Sequence, residues 1–205
     1  MKPDFKIVGI SGKIRSGKDT LANLMMEDGY YGVSLGEIVR DHSRTLFEKS
    51  PNPIAVENMT RTSNILRKQL GPDLLYKEAV RQFTELKDSR KYKGLLMFSV
   101  RAPIEADNII ASGGKLVWVE ASDEDRYKRA MDYLREGDER ISFEEFKRNE
   151  ESQFKPNLDL PTEIQMNLDY VKSRATNILT NDSDLEHFNS KAQELIEELD
   201  SSSNI

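Results

Sequence analysis

"ISGKIRSGKDTLANLM" (residues 10–25) follows directly on the apolar run "FKIVGIS" (residues 5–11), and this junction decides the fold. A continuous apolar run that ends at glycine predicts a buried strand over 5–11. Leu21, Leu24 and Met25 recur on one face at helical spacing and predict a helix over 18–28. Between them stand Gly12, four residues, Gly17 and Lys18, the spacing of a phosphate-binding loop. The pattern departs from the usual one at Asp19, where a serine or threonine is expected. A polyphosphate brings several negative charges and many acceptor oxygens. Backbone N–H groups wrapped around it, together with the positive end of a helix, answer both. Glycine lets the backbone approach closely and take positive φ, and Lys18 adds a mobile point charge for the outer phosphates. The helix dipole alone contributes only about 0.3–2 kcal/mol, so such a loop works by adding many donors. Gly12, Lys13, Ile14, Arg15, Ser16, Gly17, Lys18, Asp19 and Thr20 are therefore the expected nucleotide-binding residues.

Outward from this junction, short apolar runs alternate with longer amphipathic ones. Further strands are expected over 31–35, 94–100, 115–121 and 175–181. Helices are expected over 36–49, about 58–70, 73–87 and 103–112. Four capping signals open later helices: Ser122 with Asp125, "SFEE" (142–145), "TEIQ" (162–165), and Ser183 with Glu186. Apolar strands that do not alternate, each followed by a helix, predict an α/β fold with a parallel sheet covered on both faces. Ligands of such sheets bind at the carboxyl ends of the strands, and the loop of residues 12–17 lies at that end of the first one. The chain of 205 residues suits a single domain.

Charged residues make up 32% of the chain and hydrophobic ones 37%, the balance of a polar globular protein. The net charge of −6 argues against a nucleic acid polymer as partner, because phosphate backbones attract basic faces. Cysteine is absent, which excludes disulfides and thiol chemistry and fits a reduced cytoplasmic setting. "MKPDFKIVGIS" does not have the pattern of a signal peptide, and no stretch approaches the roughly 18 apolar residues of a membrane span. His42 and His187 stand far apart, so a metal site built on imidazole is not expected.

"SGKIRSGKDT" resembles the loop of phage deoxynucleoside monophosphate kinases and of animal-type phosphomevalonate kinases, both of which use a Gly-Lys-Asp run. The layout beyond it is similar to archaeal adenylate-kinase-related proteins and dephospho-coenzyme A kinases. The similar stretches are "GVSLGEIVRD", "VRAPIEADNI", "EASDEDRYKRA" with "GDERISFEEFKRNEESQ", and "ATNILTNDSDLEHF". The likeness runs over roughly residues 5–199, with the loop its one specific motif. It implies the nucleoside monophosphate kinase-like branch of P-loop proteins, a three-layer fold with a five-stranded parallel sheet and a helical lid. It also implies transfer of the γ-phosphoryl of ATP, with Mg2+, to a small acceptor by a monomer or homodimer. A (deoxy)nucleoside monophosphate is the first expectation for that acceptor. A dephospho-coenzyme A kinase is the alternative within the class, and a nucleotide-binding regulatory protein without turnover the alternative outside it.

Phosphoryl transfer depends on positioning and charge neutralisation, so converging arginines are the next candidates. Arg101 closes the middle strand. Arg40, with Glu37 and Asp41, lies in the helix after strand two, where the resembled kinases contact the acceptor. Arg61 and Arg67 follow on the next helix, within an acceptor-binding region of about residues 36–90. The segment 123–153 is where the resembled kinases carry a lid. Its arginines are Arg126, Arg129, Arg135, Arg140 and Arg148, and Arg135 and Arg140, flanking "EGDE", are the first choices for catalysis beside Lys18 and Arg101. The related families often carry an acid in a pattern like I-D-G-[IV]-R, whereas this chain has "MFSVR", with Phe98 and Ser99 in place of Asp-Gly. Asp19 is then the nearest acid to the expected metal position. A carboxylate facing phosphate becomes favourable only with a cation or its water between them, so Asp19 and Thr20 are the candidate Mg2+ residues. The competing reading is that Asp19 merely complements the helix N-terminus.

Overall fold

The computed structural model describes residues 3–86, 88–134, 140–153 and 161–201. Five parallel strands form one sheet: β1 (Ile7–Ser11), β2 (Tyr31–Ser34), β3 (Leu95–Phe98), β4 (Lys115–Glu120) and β5 (Asn177–Thr180), in the order β2-β3-β1-β4-β5. Each lies inside its expected window. The strand that feeds the glycine loop sits at the centre, flanked by β3 and β4. Nine α-helices occur among the described residues: α1 (Lys18–Glu27), α2 (Leu35–Leu46), α3 (Val56–Leu70), α4 (Leu74–Thr84), α5 (Pro103–Ala111), α6 (Asp123–Asp132), α7 (Phe143–Gln153), α8 (Leu168–Ser173) and α9 (Leu185–Ser201).

Successive strand residues point to opposite faces, and both faces are buried. On one side Val8, Ile10, Leu96, Val117 and Val119 pack against Leu21 and Met25 of α1 and Phe188 and Ile196 of α9. On the other, Ile7, Leu95, Met97 and Leu116 pack against Leu75, Ala79 and Phe83 of α4, Ile109 of α5 and Val171 of α8. At about 1.5–3 kcal/mol for each large apolar side chain removed from water, these two layers dominate the stability. At the amino ends of the strands a polar cluster ties α9 to the sheet. Asp200 accepts from Lys6 (3.2 Å), from the Tyr30 hydroxyl (2.7 Å) and from Lys93 (2.6 Å), and Lys93 also pairs with Asp28 at 2.6 Å.

Ser122 caps α6, its side chain accepting from the Asp125 N–H at 3.1 Å, and Ser142 accepts from the Glu145 N–H at 3.2 Å. Two other expected starts are corrected. "TEIQ" opens only a 3-10 turn over Thr162–Ile164, after which Gln165 is extended. Long-range ties override the local signal there: the Asn167 N–H donates to the Arg101 carbonyl at 2.9 Å, and Ile164 and Leu168 are buried. The helix begins afterwards, as α8, with the Asn167 side chain accepting from the Tyr170 N–H at 2.9 Å. For α9 the cap is Asp184, not Ser183: its carboxylate accepts from the His187 N–H at 2.8 Å, a charge-assisted bond favoured by the helix dipole. No helix among the described residues is long and apolar enough to cross a membrane.

Candidate functional site

The loop of residues 12–17 turns from the carboxyl end of β1 into α1. Gly17 precedes the helix at φ 104°, a left-handed conformation that favours glycine. Any Cβ there would collide with the Asn181 amide. A Cβ on Gly12 would lie 2.5 Å from the Val119 carbonyl oxygen and 2.6 Å from Ser16 Oγ. Both glycines of the motif are thus required by close approach. Arg15 also takes positive φ, 61°. The Ser16 N–H closes a turn onto the Lys13 carbonyl at 3.2 Å, and the first bond along the helix runs from Leu21 N–H to Gly17 carbonyl at 3.1 Å. The N–H groups in the first turn of α1, ahead of Leu21, have no acceptor within the helix. Lys18 is 4% exposed, with Nζ 3.4 Å from the Asp19 carboxylate.

The loop is gripped from outside. Arg126, fully buried, donates to the Ile14 carbonyl at 3.1 Å. It is held by Glu150 through two bonds, 2.7 and 2.8 Å, and by Asp123 at 2.6 Å. Burial works against its charge, but these two carboxylates outweigh burial and hold the guanidinium above its ordinary range; Arg126 in turn holds Asp123 below the usual carboxylate range. Arg129 donates to the Arg15 carbonyl at 3.4 Å and to both oxygens of Asn181, at 3.2 and 3.1 Å. Asn181, immediately after β5, donates from Nδ2 to the Ser16 carbonyl at 2.9 Å. Arg15 donates to the carbonyl of Tyr133 at the end of α6. The sequence offered Arg126 and Arg129 as lid arginines reaching for phosphate; the structure gives both to the loop's own carbonyls. Asn181 was missed altogether. Its one sequence signal is its place at the carboxyl end of a strand, the same signal that marks Arg101.

Arg101 lies beside the loop. The Val100 N–H donates to the Ile10 carbonyl at 3.2 Å, and Ser11 Oγ donates to the Val100 carbonyl at 2.6 Å. Ser99 takes φ 64°, so the serine in "MFSVR" keeps a backbone conformation that favours glycine. Phe98 packs against the apolar layer under α1 and α9. Glu105 Oε2 accepts from the Arg101 and Ala102 N–H groups at 2.9 and 3.0 Å, while its other oxygen pairs with Arg67 at 2.5 Å. Arg67, expected as an acceptor contact, also bonds Ser63 and is buried, and its pair with Glu105 braces the end of β3. α2 starts beside Ser99. On it, Glu37 pairs with Arg40, and Asp41 pairs with Arg44 at 3.0 Å. Arg61 stands over the Phe47 ring at 5.2 Å. Arg140 and Arg148 are exposed, and Arg135 lies outside the described residues.

Asp19 and Thr20 fit a hard cation only in part. They supply one carboxylate and one hydroxyl, both oxygen donors, at the opening of α1. No group of three or more metal-ligating acidic, histidine or cysteine side chains occurs among the described residues. Such a pair suits a Mg2+ that keeps waters and takes further ligands from substrate phosphates; it does not suit an all-protein cage.

No family model matches this chain. A UPF0200 protein of Saccharolobus islandicus is 26% identical over 192 residues, covering 93% of this chain and 92% of that protein. Among solved structures, a dephospho-CoA kinase from Campylobacter jejuni superposes with a TM-score of 0.51 at 15% identity, covering 96% of this chain and 98% of its own. A shikimate kinase from Bacteroides thetaiotaomicron does so with 0.52 at 11%, covering 95% and 98%. The chain therefore has the fold of the P-loop kinases, with the expected five-stranded parallel sheet and helices on both faces.

Proposed function

We propose that this protein is an ATP-dependent small-molecule kinase that transfers the γ-phosphoryl of ATP to a nucleotide-like acceptor, most simply a (deoxy)nucleoside monophosphate. The observation that carries the reading is the loop of residues 12–19, seated on the central strand with both glycines enforced by close contacts and Lys18 at its base. In the reaction, an acceptor oxygen attacks the γ-phosphorus, the bond to the β–γ bridging oxygen breaks, and ADP leaves. Loop N–H groups bind the donor phosphates, and Lys18 neutralises charge on the outer ones. Arg101, at the end of β3 next to the loop, neutralises charge between donor and acceptor. Glu37, Arg40 and Asp41 orient the acceptor from α2, and Arg140 approaches the donor from the segment after α6. Asp19 and Thr20 would hold Mg2+, which would supply further neutralisation of the phosphates.

One observation favours a second reading, a nucleotide-binding regulator without turnover. The apolar Phe98 stands where related kinases carry a carboxylate, and it is packed against the core rather than available for a metal. Both readings are tested by ATP consumption with each ribo- and deoxyribonucleoside monophosphate, dephospho-coenzyme A and phosphomevalonate as acceptor. One acceptor is expected to raise ATP loss well above background. ATP binding with no acceptor-dependent loss would overturn the kinase reading in favour of the regulator. Turnover with dephospho-coenzyme A alone would replace the nucleotide acceptor.

A further inference from the structure

Three successive peptide carbonyls of the loop, those of Ile14, Arg15 and Ser16, are held from outside by Arg126, Arg129 and Asn181 in turn. In a trans peptide the C=O of one residue and the N–H of the next lie in one plane and point in opposite directions. Pinning a carbonyl outward therefore turns the following N–H inward. For Ile14 and Ser16 the N–H groups so aimed belong to Arg15 and Gly17. For Arg15 the N–H is that of Ser16, which closes the turn onto Lys13. Without outside partners these peptide planes could rotate, and a flexible glycine at position 17 would make rotation easy.

The geometry points to Asn181 and Arg129 as positioning residues for phosphate, an inference that rests on the phosphate-loop reading. They touch no substrate. Asn181 acts on the Ser16–Gly17 peptide, and Arg129 acts on the Arg15–Ser16 peptide while holding the Asn181 side-chain oxygen. Arg126 completes the belt, and its anchors Glu150 and Asp123 come from α7 and α6. The two helices after β4 are thereby mechanically joined to the donors of the loop. Both Asn181 and Arg126 are nearly or fully buried, so their bonds are shielded from water and their directions are well maintained.

The deciding measurement is calorimetric binding of inorganic tripolyphosphate and of adenosine to the intact chain, wild type and variants, alongside thermal unfolding. Asn181→Ala is expected to weaken tripolyphosphate about five- to tenfold, the effect of one lost hydrogen bond, and to leave adenosine unchanged. Arg129→Gln, on a half-buried helix position, is expected to act in the same direction. Arg129→Lys, which restores a donor of similar reach, is expected to recover part of the loss. Equal weakening of both ligands would show a general structural role and overturn the inference, as would unchanged tripolyphosphate binding. Should Asn181→Ala fail to fold, Arg129→Gln decides alone. Wild-type protein that binds no tripolyphosphate would refute the phosphate loop itself, a failure distinct from that of the positioning residues.

Discussion

The two ends of the sheet use their charged groups differently. At the amino ends, Lys6, Lys93, Asp28, Asp200 and the Tyr30 hydroxyl bond to one another across α9, β1 and the start of β3. Each positive group there faces an acid, and the cluster pins the last helix to the sheet. At the carboxyl ends the pairing is displaced outward. The belt of Arg126, Arg129 and Asn181 donates to the loop carbonyls of Ile14, Arg15 and Ser16, and Arg126 is itself held by Glu150 and Asp123. The first arrangement ties a helix to the sheet; the second fixes the backbone of the loop.

Three measurements test this contrast, in falling order of effect. Lys18→Ala is expected to lower ATP affinity or turnover about 10²–10³-fold, in line with removal of a preorganised phosphate contact, with the unfolding midpoint nearly unchanged. ATP binding that survives this substitution would mean the carboxyl end is not the site. Asp200→Asn should do the reverse, lowering stability by about 1.5–3 kcal/mol, the range for a hydrogen-bonded charge, while nucleotide binding stays the same. Burial alone would push the Asp200 carboxyl up, but hydrogen bonds from Lys93, Tyr30 and Lys6 outweigh it and hold the group below the ordinary carboxylate range. A carboxyl with a depressed folded-state pKa contributes stability above its unfolded value, about 3.9. That stability is lost as the pH falls through the lower folded value. Urea unfolding between about pH 2 and 5 should therefore show an acid limb in the wild type that flattens in Asp200→Asn; parallel limbs would exclude Asp200 as its source. The smallest effect is expected for Asp19→Ala, which should raise the Mg2+ concentration needed for ATP binding about tenfold. An unchanged titration would leave Asp19 as a helix-terminus residue paired with Lys18 and nothing more.

Much of this was legible in the primary structure. The strand, loop and helix at residues 5–28 were readable because glycine spacing, apolar run and helical period all sit within a few turns of each other. The same held for Ser122 and Ser142 as caps. Reading failed where a distant partner overruled a local signal. "TEIQ" has the form of a helix start, yet it makes only a 3-10 turn, and the Asn167 N–H is tied to the Arg101 carbonyl before α8 begins. The partner of Arg67, Glu105, lies 38 residues away and has no local sign in the sequence. The missing acid at Phe98 was visible in sequence. That Ser99 would nevertheless keep the left-handed backbone was not, because serine gives no sign of it.

The order of residues was sufficient for the number and direction of the strands, the place of the loop and the identity of Lys18, since periodicity and turn chemistry are properties of neighbours in the chain. Tertiary structure alone decided which strand lies at the centre and which groups the arginines meet. Arg126 meets Glu150 across 24 residues, and Asn181 meets Ser16 across 165. A buried cation takes the acid or carbonyl that relieves its desolvation at least cost, and only the folded chain brings those groups within reach.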